Sequence, residues 1–510
     1  MSKLNIKNQL NNALKDHYDG NIDAADKVYL QILEHDKYNF DANHLHGLVL
    51  SQKKEFSKSI NFYREAFSKN SKNIELLNNY SISLRNISNF KKCEDLLKSA
   101  IMYDPSYSKS YLNLSNCYED QEKYEQAIDI LNKGRLIASE SLNFNKKEIN
   151  ILVKIYIQKR KSEDLARLIV LIDSSNIEDS KDITYISLCA MVYVWNSQLN
   201  KANNLFKLTE KLSQALPSIE VLKNIREKKV LKTFIKHEYE QLCHIDSDDD
   251  GIRNMKISQS YFDKMKNLYD KNSLNFSDDE LVTISSAHKI LYNKPIKLKE
   301  KYLNPQLNIN QIEKNYYDSD FEIVVIDDFL SSKFLDEINI FFRCANIFKR
   351  PYPRGYIGAF LNTGMSNIPM LKFAQELKDT FKKIFLNYQL SQAWAFKYDS
   401  DQEGIDIHAD IAKINVNFWI TPDDANLDIN SGGMIIWKKK PNIDASFYEY
   451  NSLDSSKKLH EDVKDVESIK VPYKANRVVI FNSKLYHVTD KINFREGYKN
   501  RRVNVTFLYD

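Results

Sequence analysis

The sequence predicts an α+β multidomain protein. An all-α repeat solenoid over residues 1–220 leads through a helical junction, 221–320, into a β-rich domain over 321–510. Three observations carry this reading. Small residues recur at a fixed 34-residue interval through the first 134 positions. Strand-like runs lie at 413–420, 431–437, 477–486 and 501–509. Among those strands lie two histidines and an aspartate, spaced so that a fold can bring them to one point.

In the repeat region the interval can be followed position by position. The small residue of the second helix in each unit falls at Ala25, Ser59, Cys93 and Ala127, and that of the first helix at Ala13, Gly47, Ser81 and Ser115. Larger side chains recur at Ile22, Phe56, Phe90 and Tyr124, and again at Tyr29, Tyr63, Leu97 and Leu131. Ile32, Ala66, Ala100 and Gly134 complete the pattern. Two antiparallel helices that cross closely need small residues at the crossing and large ones beside it. Asp104-Pro105 closes one unit, because proline cannot continue the helix. Residues 150–173 are helical but off the pattern, and a degenerate fifth unit is read at Ala190, Tyr193, Leu199, Ala202 and Phe206.

The junction contains helix-prone stretches over 225–241, 261–269 and 278–292, then a polar stretch over 304–320. Asp246-Ser247-Asp248-Asp249-Asp250-Gly251 has the alternating carboxylates of a calcium loop. Its twelfth position is Ile257 where a bidentate Glu is needed, so a solvated acidic loop is the expectation.

In the β-rich domain, His408 and Asp410 stand two apart and would share one face of an extended strand. His487 follows the buried-strand pattern 477–486. Two imidazoles and one carboxylate can hold one face of an octahedral metal and leave the other positions open, which suits non-haem Fe(II). Strand-like runs over 413–420 and 431–437 form a pair joined through Gly432-Gly433, and 501–509 alternates. There Arg502, Asn504 and Thr506 share one face, and Val503, Val505 and Phe507 the other. The intervening 438–470 reads as a polar loop or lid, with His460 solvated. His17, His35, His44 and His46 have no carboxylate at ligand spacing and are read as packing or surface residues.

Composition bounds the rest. With 43% hydrophobic and 28% charged residues the chain is ordinary for a globular protein, and a net charge of +4 gives no nucleic-acid footprint. The 5 cysteines are scattered and build neither a disulfide framework nor a zinc site. The N-terminus lacks an apolar signal core and no run approaches spanning length, so no membrane association and a cytoplasmic location are expected.

Two resemblances sharpen the picture. The repeats resemble the tetratricopeptide repeat, with 104–134 matching its pattern best, which implies a concave groove for a peptide or protein partner. From Phe321 to the C-terminus the chain resembles the 2-oxoglutarate and Fe(II)-dependent oxygenases, whose fold is a double-stranded β-helix, or jelly roll. The family's His-x-Asp, distal His and Arg-x-Ser map onto His408, Asp410, His487 and Arg502, with Asn504 where the family usually has Ser. That resemblance implies Fe(II) held by His408, Asp410 and His487, with 2-oxoglutarate as co-substrate and O2 as oxidant. It further implies hydroxylation of a substrate, with succinate and CO2 as co-products. Arg502 would anchor the far carboxylate of 2-oxoglutarate, although Arg501 competes for that role. Tyr398 and Asn417 are further co-substrate candidates. The alternative is a repeat-based interaction scaffold whose jelly roll is non-catalytic or binds a small metabolite.

Overall fold

A computed structural model describes residues 3–137, 141–214, 217–225, 227–247, 258–297, 301–400, 402, 404–442, 444–452 and 455–510. The carboxylates Asp248–Asp250 of the acidic loop lie outside the described residues. The chain divides into two compact units, Met1–Asn176 and Ile177–Asp510. That division falls upstream of the boundary expected at residue 220.

The first unit is built of antiparallel helix pairs. Lys3–Tyr18 pairs with Ile22–His35, Phe40–Gln52 with Phe56–Lys69, Ile74–Asn86 with Phe90–Tyr103, and Ser108–Glu119 with Tyr124–Ile137. Ser141–Lys159 and Ser162–Asp173 follow. The periodic small residues Ala25, Ser59, Cys93 and Ala127 are all buried at the crossings. Gly47 is needed for close approach, since a Cβ there would sit 2.9 Å from the Tyr63 ring. Within each pair the chain turns through a left-handed residue, namely Gly20, Lys54, Ser88 and Glu122. Only the first of these is glycine, so the period is also written in backbone conformation. His46, expected without a carboxylate, has its Nδ1 2.5 Å from Asp26 Oδ1 across the helix pairs.

The second unit begins with helices Ile183–Trp195 and Leu199–Ser213, where the degenerate repeat was expected. Their turn repeats the left-handed device at Ser197. This pair packs onto the sheet-bearing unit, with Trp195 Nε1 donating to Leu390 O at 2.7 Å. That contact explains why the boundary precedes the pair. The expected polar stretch 304–320 contains a helix, Ile309–Asp318, and the expected loop 438–470 contains two short ones, Phe447–Asn451 and Ser456–Val463.

Among the described residues ten strands follow: β1 Ile323–Ile326, β2 Arg350–Pro351, β3 Tyr356–Phe360, β4 Leu390–Tyr398, β5 Ile414–Trp419, β6 Met434–Trp437, β7 Ser468–Val471, β8 Val478–Asn482, β9 His487–Thr489 and β10 Arg502–Tyr509. They form a seven-stranded antiparallel sheet, β1-β8-β5-β10-β4-β3-β2, and a three-stranded one, β7-β6-β9. β10 is central, pairing Arg502 with Tyr398 on one side and Thr506 with Asn417 on the other. Its even-numbered residues face the small sheet. The two sheets share a core in which Trp419, Val479 and Phe481 meet Met434, Ile436 and Val471. The odd-numbered residues face helix Ile368–Thr380, where the Phe373 ring lies 5.3 Å from that of Phe507.

Candidate metal centre and adjoining cavity

The metal-ligand motif departs from the extended strand expected of it. His408 forms an isolated antiparallel bridge with His487, their backbones exchanging hydrogen bonds of 3.0 and 2.9 Å. Asp410 lies in the connection ahead of β5, its N–H bonded to Ser483 O at 3.0 Å. The chain leaves the sheet here, which lets both side chains turn toward His487. One ligand atom from each of His408, Asp410 and His487 lies within 4.8 Å of the others. His487 Nε2 is 3.7 Å from Asp410 Oδ2. Neighbouring ligands of a six-coordinate ion stand about 3 Å apart, so a small inward movement of side chains would close the set.

The hydrogen bonds around the triad set its chemistry. His408 Nδ1 is 2.7 Å from Asp406 O, and His487 Nδ1 is 2.9 Å from Leu485 O. A carbonyl can only accept, so each Nδ1 carries the proton and each Nε2 keeps a lone pair for a metal. Burial pushes the pKa of His487 well down, helped by the neighbouring His408, and keeps that imidazole neutral. Burial raises the Asp410 carboxyl, opposed by His408 and by the Asn415 amide, which donates to Oδ2 at 3.0 Å. A buried carboxylate beside two imidazoles is a donor set that a cation completes.

The triad opens into a cavity of about 420 Å³. Arg502, Tyr398, Asn417 and Asn504 all line it. Arg501, one residue earlier, faces the opposite side and binds Glu240 Oε2 at 2.7 Å. The Arg502 guanidinium donates to Gly432 O at 2.6 Å, Gly433 O at 3.2 Å and Asn504 Oδ1 at 3.4 Å, leaving N–H groups on both Nη atoms for a ligand. The Gly-Gly pair is therefore part of the site: Gly432 has φ +79°, and a Cβ on Gly433 would collide with Val471 O. The Arg502 guanidinium carbon lies 4.8 Å from the centre of the Tyr398 ring. The Tyr398 hydroxyl, Asn415 Oδ1 and Asn417 Oδ1 are buried with no hydrogen-bond partner among the described residues. Buried polar atoms left in this state beside a cavity mark where a ligand or water belongs.

Asp406 is the residue that sequence reading passed over. Its carboxylate receives Arg354 Nη2 at 2.5 Å, His460 Nε2 at 2.9 Å and the Ser456 hydroxyl. Burial opposes its ionisation, but Ser456, the Ile407 N–H, His460 and Arg354 together hold its pKa below the ordinary range. His460, expected to be solvated, thus ties helix Ser456–Val463 to the metal-ligand segment. Asn451 Nδ2 adds a bond to Ala409 O at 2.9 Å. Helix Phe447–Asn451 brings both its end residues, Phe447 and Asn451, to the cavity. The only signal in the sequence was the acidic residue two before His408.

Comparison with known proteins touches the repeats. The family model of the tetratricopeptide repeat matches residues 108–134. Similar solved structures include pilF of Pseudomonas aeruginosa, 18% identical over 43% of this chain and 95% of its own, with a TM-score of 0.35. MamA of Desulfovibrio magneticus is 15% identical over 34% of this chain and 97% of its own, TM-score 0.29. YrrB, described as a TPR protein with an unusual peptide-binding site, is 12% identical over 37% and 93%, TM-score 0.28. No curated protein matches the chain. Among the described residues no helix is long and apolar enough to cross a membrane.

Proposed function

We propose that the second unit is an Fe(II)- and 2-oxoglutarate-dependent hydroxylase built on a double-stranded β-helix. The observation that carries this reading is the triad of His408, Asp410 and His487, with both Nε2 lone pairs free and Arg502 lining the same cavity. His408 and His487 would hold the metal through Nε2 and Asp410 through a carboxylate oxygen, with Asn415 fixing the carboxylate. Fe(II) together with 2-oxoglutarate and O2 supplies the oxidising power, releasing succinate and CO2 and placing one oxygen atom in a C–H bond. Arg502 would orient 2-oxoglutarate by pairing its free N–H groups with the far carboxylate, since a planar guanidinium matches that geometry. The Tyr398 hydroxyl and the Asn417 amide stand beside it with hydrogen-bonding capacity to spare. The two short helices held to this segment by Asp406 and Ala409 would limit access of water to the mouth. Succinate formation from 2-oxoglutarate, dependent on added Fe(II) and O2, is the expected result, and its absence refutes the activity.

The match over 108–134 favours a second role, binding of a peptide or protein partner by the repeats. That partner would be the hydroxylated substrate or a member of an assembly. A chain that captures partners yet forms no succinate would be a scaffold, with its second unit non-catalytic or binding a small metabolite.

A further inference from the structure

A second cavity, of about 510 Å³, lies in the same unit, and Phe360, Ser391, Gln392 and Trp394 line both. Its charge is one-sided. Lys349 and Arg350 border it, and no carboxylate does among the described residues. The Lys349 ammonium is already engaged by Glu238, at 2.8 and 2.9 Å. Arg350 is exposed and pairs with no carboxylate among the described residues. Its guanidinium carbon sits 5.5 Å from the ring centres of both Tyr352 and Phe360. Two aromatic rings therefore hold an unneutralised fork in place before any ligand arrives.

The sheet register fixes where this cation stands. Arg350 pairs with Gly358, Gly358 with Phe396, and Phe396 with Asn504. Directly paired residues share a face, so Arg350 lies on the face that carries Asn504 and Arg502. Three strand spacings put it about 14 Å from Asn504. Tyr352, Tyr356 and Phe360 border the first cavity on this side, and Gly358 leaves room for the Phe360 and Phe396 rings to lie over it.

We propose that Arg350 is a specificity residue, and that the substrate is an elongated molecule with an anionic group at the end remote from the oxidised carbon. The apolar stem lies along the aromatic wall, and a carboxylate or phosphate meets the Arg350 fork in the second cavity. This rests on the oxygenase reading for what happens at the near end. The anion preference at the far end does not depend on it.

The test uses the full chain with Fe(II) and saturating 2-oxoglutarate under nitrogen, titrated with hexyl phosphate, hexanoate and hexan-1-ol. Both anions, or the one that matches the natural group, should bind at least about tenfold more tightly than the alcohol, the size expected of a charge-assisted pair. Arg350→Gln should erase that preference without weakening the alcohol. The tighter of the two anions tells phosphate from carboxylate. Equal affinity for all three probes, no binding of any, or a preference that survives Arg350→Gln overturns the proposal. An Arg350-dependent preference without succinate formation would sink the oxygenase reading and leave this one standing. Succinate formation with no such preference would do the reverse.

Discussion

The two faces of the seven-stranded sheet both bury charge, and they do so in opposite ways. Behind the sheet, helix Lys229–Asp246 closes a network in which nearly every charge is answered. Glu238 binds Lys349 at 2.8 Å and receives the Asn346 amide, and Arg501 binds Glu240 at 2.7 Å. The Lys397 ammonium donates to Phe342 O and to the Tyr498 hydroxyl, each at 2.9 Å. His237 is the exception, since both its ring nitrogens lack a hydrogen-bond partner among the described residues. Burial, reinforced by the nearby cations Lys397, Arg501 and Lys349, holds its pKa well down. In front, Tyr398, Asn415 and Asn417 leave hydrogen-bonding atoms unmet around a cavity. The difference separates polar groups that hold the fold from those that await a ligand. Burial and shifted pKa values alone mark both faces, and only the unmet atoms beside a cavity mark the front.

Substitutions should split along this line. The largest loss of stability is expected for Glu238→Ala, which strands Lys349 without its partner and should cost roughly 3–5 kcal/mol in denaturant unfolding. Asn417→Ala in front should cost about 1 kcal/mol, the one bond it makes to Thr506. Comparable losses at the two positions would erase the distinction.

The neighbouring arginines sharpen it. Arg502→Ala should raise the 2-oxoglutarate requirement at least about tenfold with the metal still bound. Arg501→Ala should act on unfolding and leave that requirement nearly unchanged, because its partners are Glu240 and Asp399 on the back face. The opposite ranking in a 2-oxoglutarate titration would reverse the assignment of faces.

Truncation should respect the boundary between the units. Removal of residues 1–176 should leave a folded chain with some uncoupled 2-oxoglutarate turnover. Removal of 1–220 also takes the helix that bonds Leu390 on β4, and should abolish it. Equal survival of the two truncations, measured by thermal unfolding and succinate release, would place the boundary elsewhere.

The smallest effect should come from the partly exposed pair of Asp327 with Arg477, where Arg477 Nε lies 2.6 Å from Oδ1. Hydrogen bonding from Arg477, outweighing partial burial and helped by Lys474, lowers the Asp327 pKa. A carboxyl lowered on folding stabilises above its unfolded value, about 4, and loses that contribution as pH falls through the folded one. Asp327→Asn should thus cost about 1 kcal/mol or less at neutral pH and nothing in strong acid. A deficit that is the same at both pH values would show that the charge is not responsible.

The repeats were legible because helix crossings are local and recur. Ala25, Ser59, Cys93 and Ala127 state the same steric need four times. The left-handed turns at Lys54, Ser88 and Glu122 were not legible, since no glycine announces them. In the sheet unit, alternation along β10 separated Arg502, Asn504 and Thr506 from Val503, Val505 and Phe507. What alternation could not show is partnership across sequence. Asp406 bonds to residues 52 and 54 positions away, and Arg502 to carbonyls 69 and 70 positions before it. Arg350 was invisible for the same reason, as its meaning depends on three strand pairings and on a cavity.

The central claim is that His408, Asp410 and His487 form one metal site, and iron content of the full chain tests it most directly. Anaerobically loaded wild-type protein should retain about one equivalent of Fe(II) through desalting, as a three-ligand site would. His408→Ala and His487→Ala should each lose it, with the helical circular-dichroism signal unchanged because the repeats have a core of their own. Full retention of iron in both variants would contradict the account, whatever activity the protein then displayed.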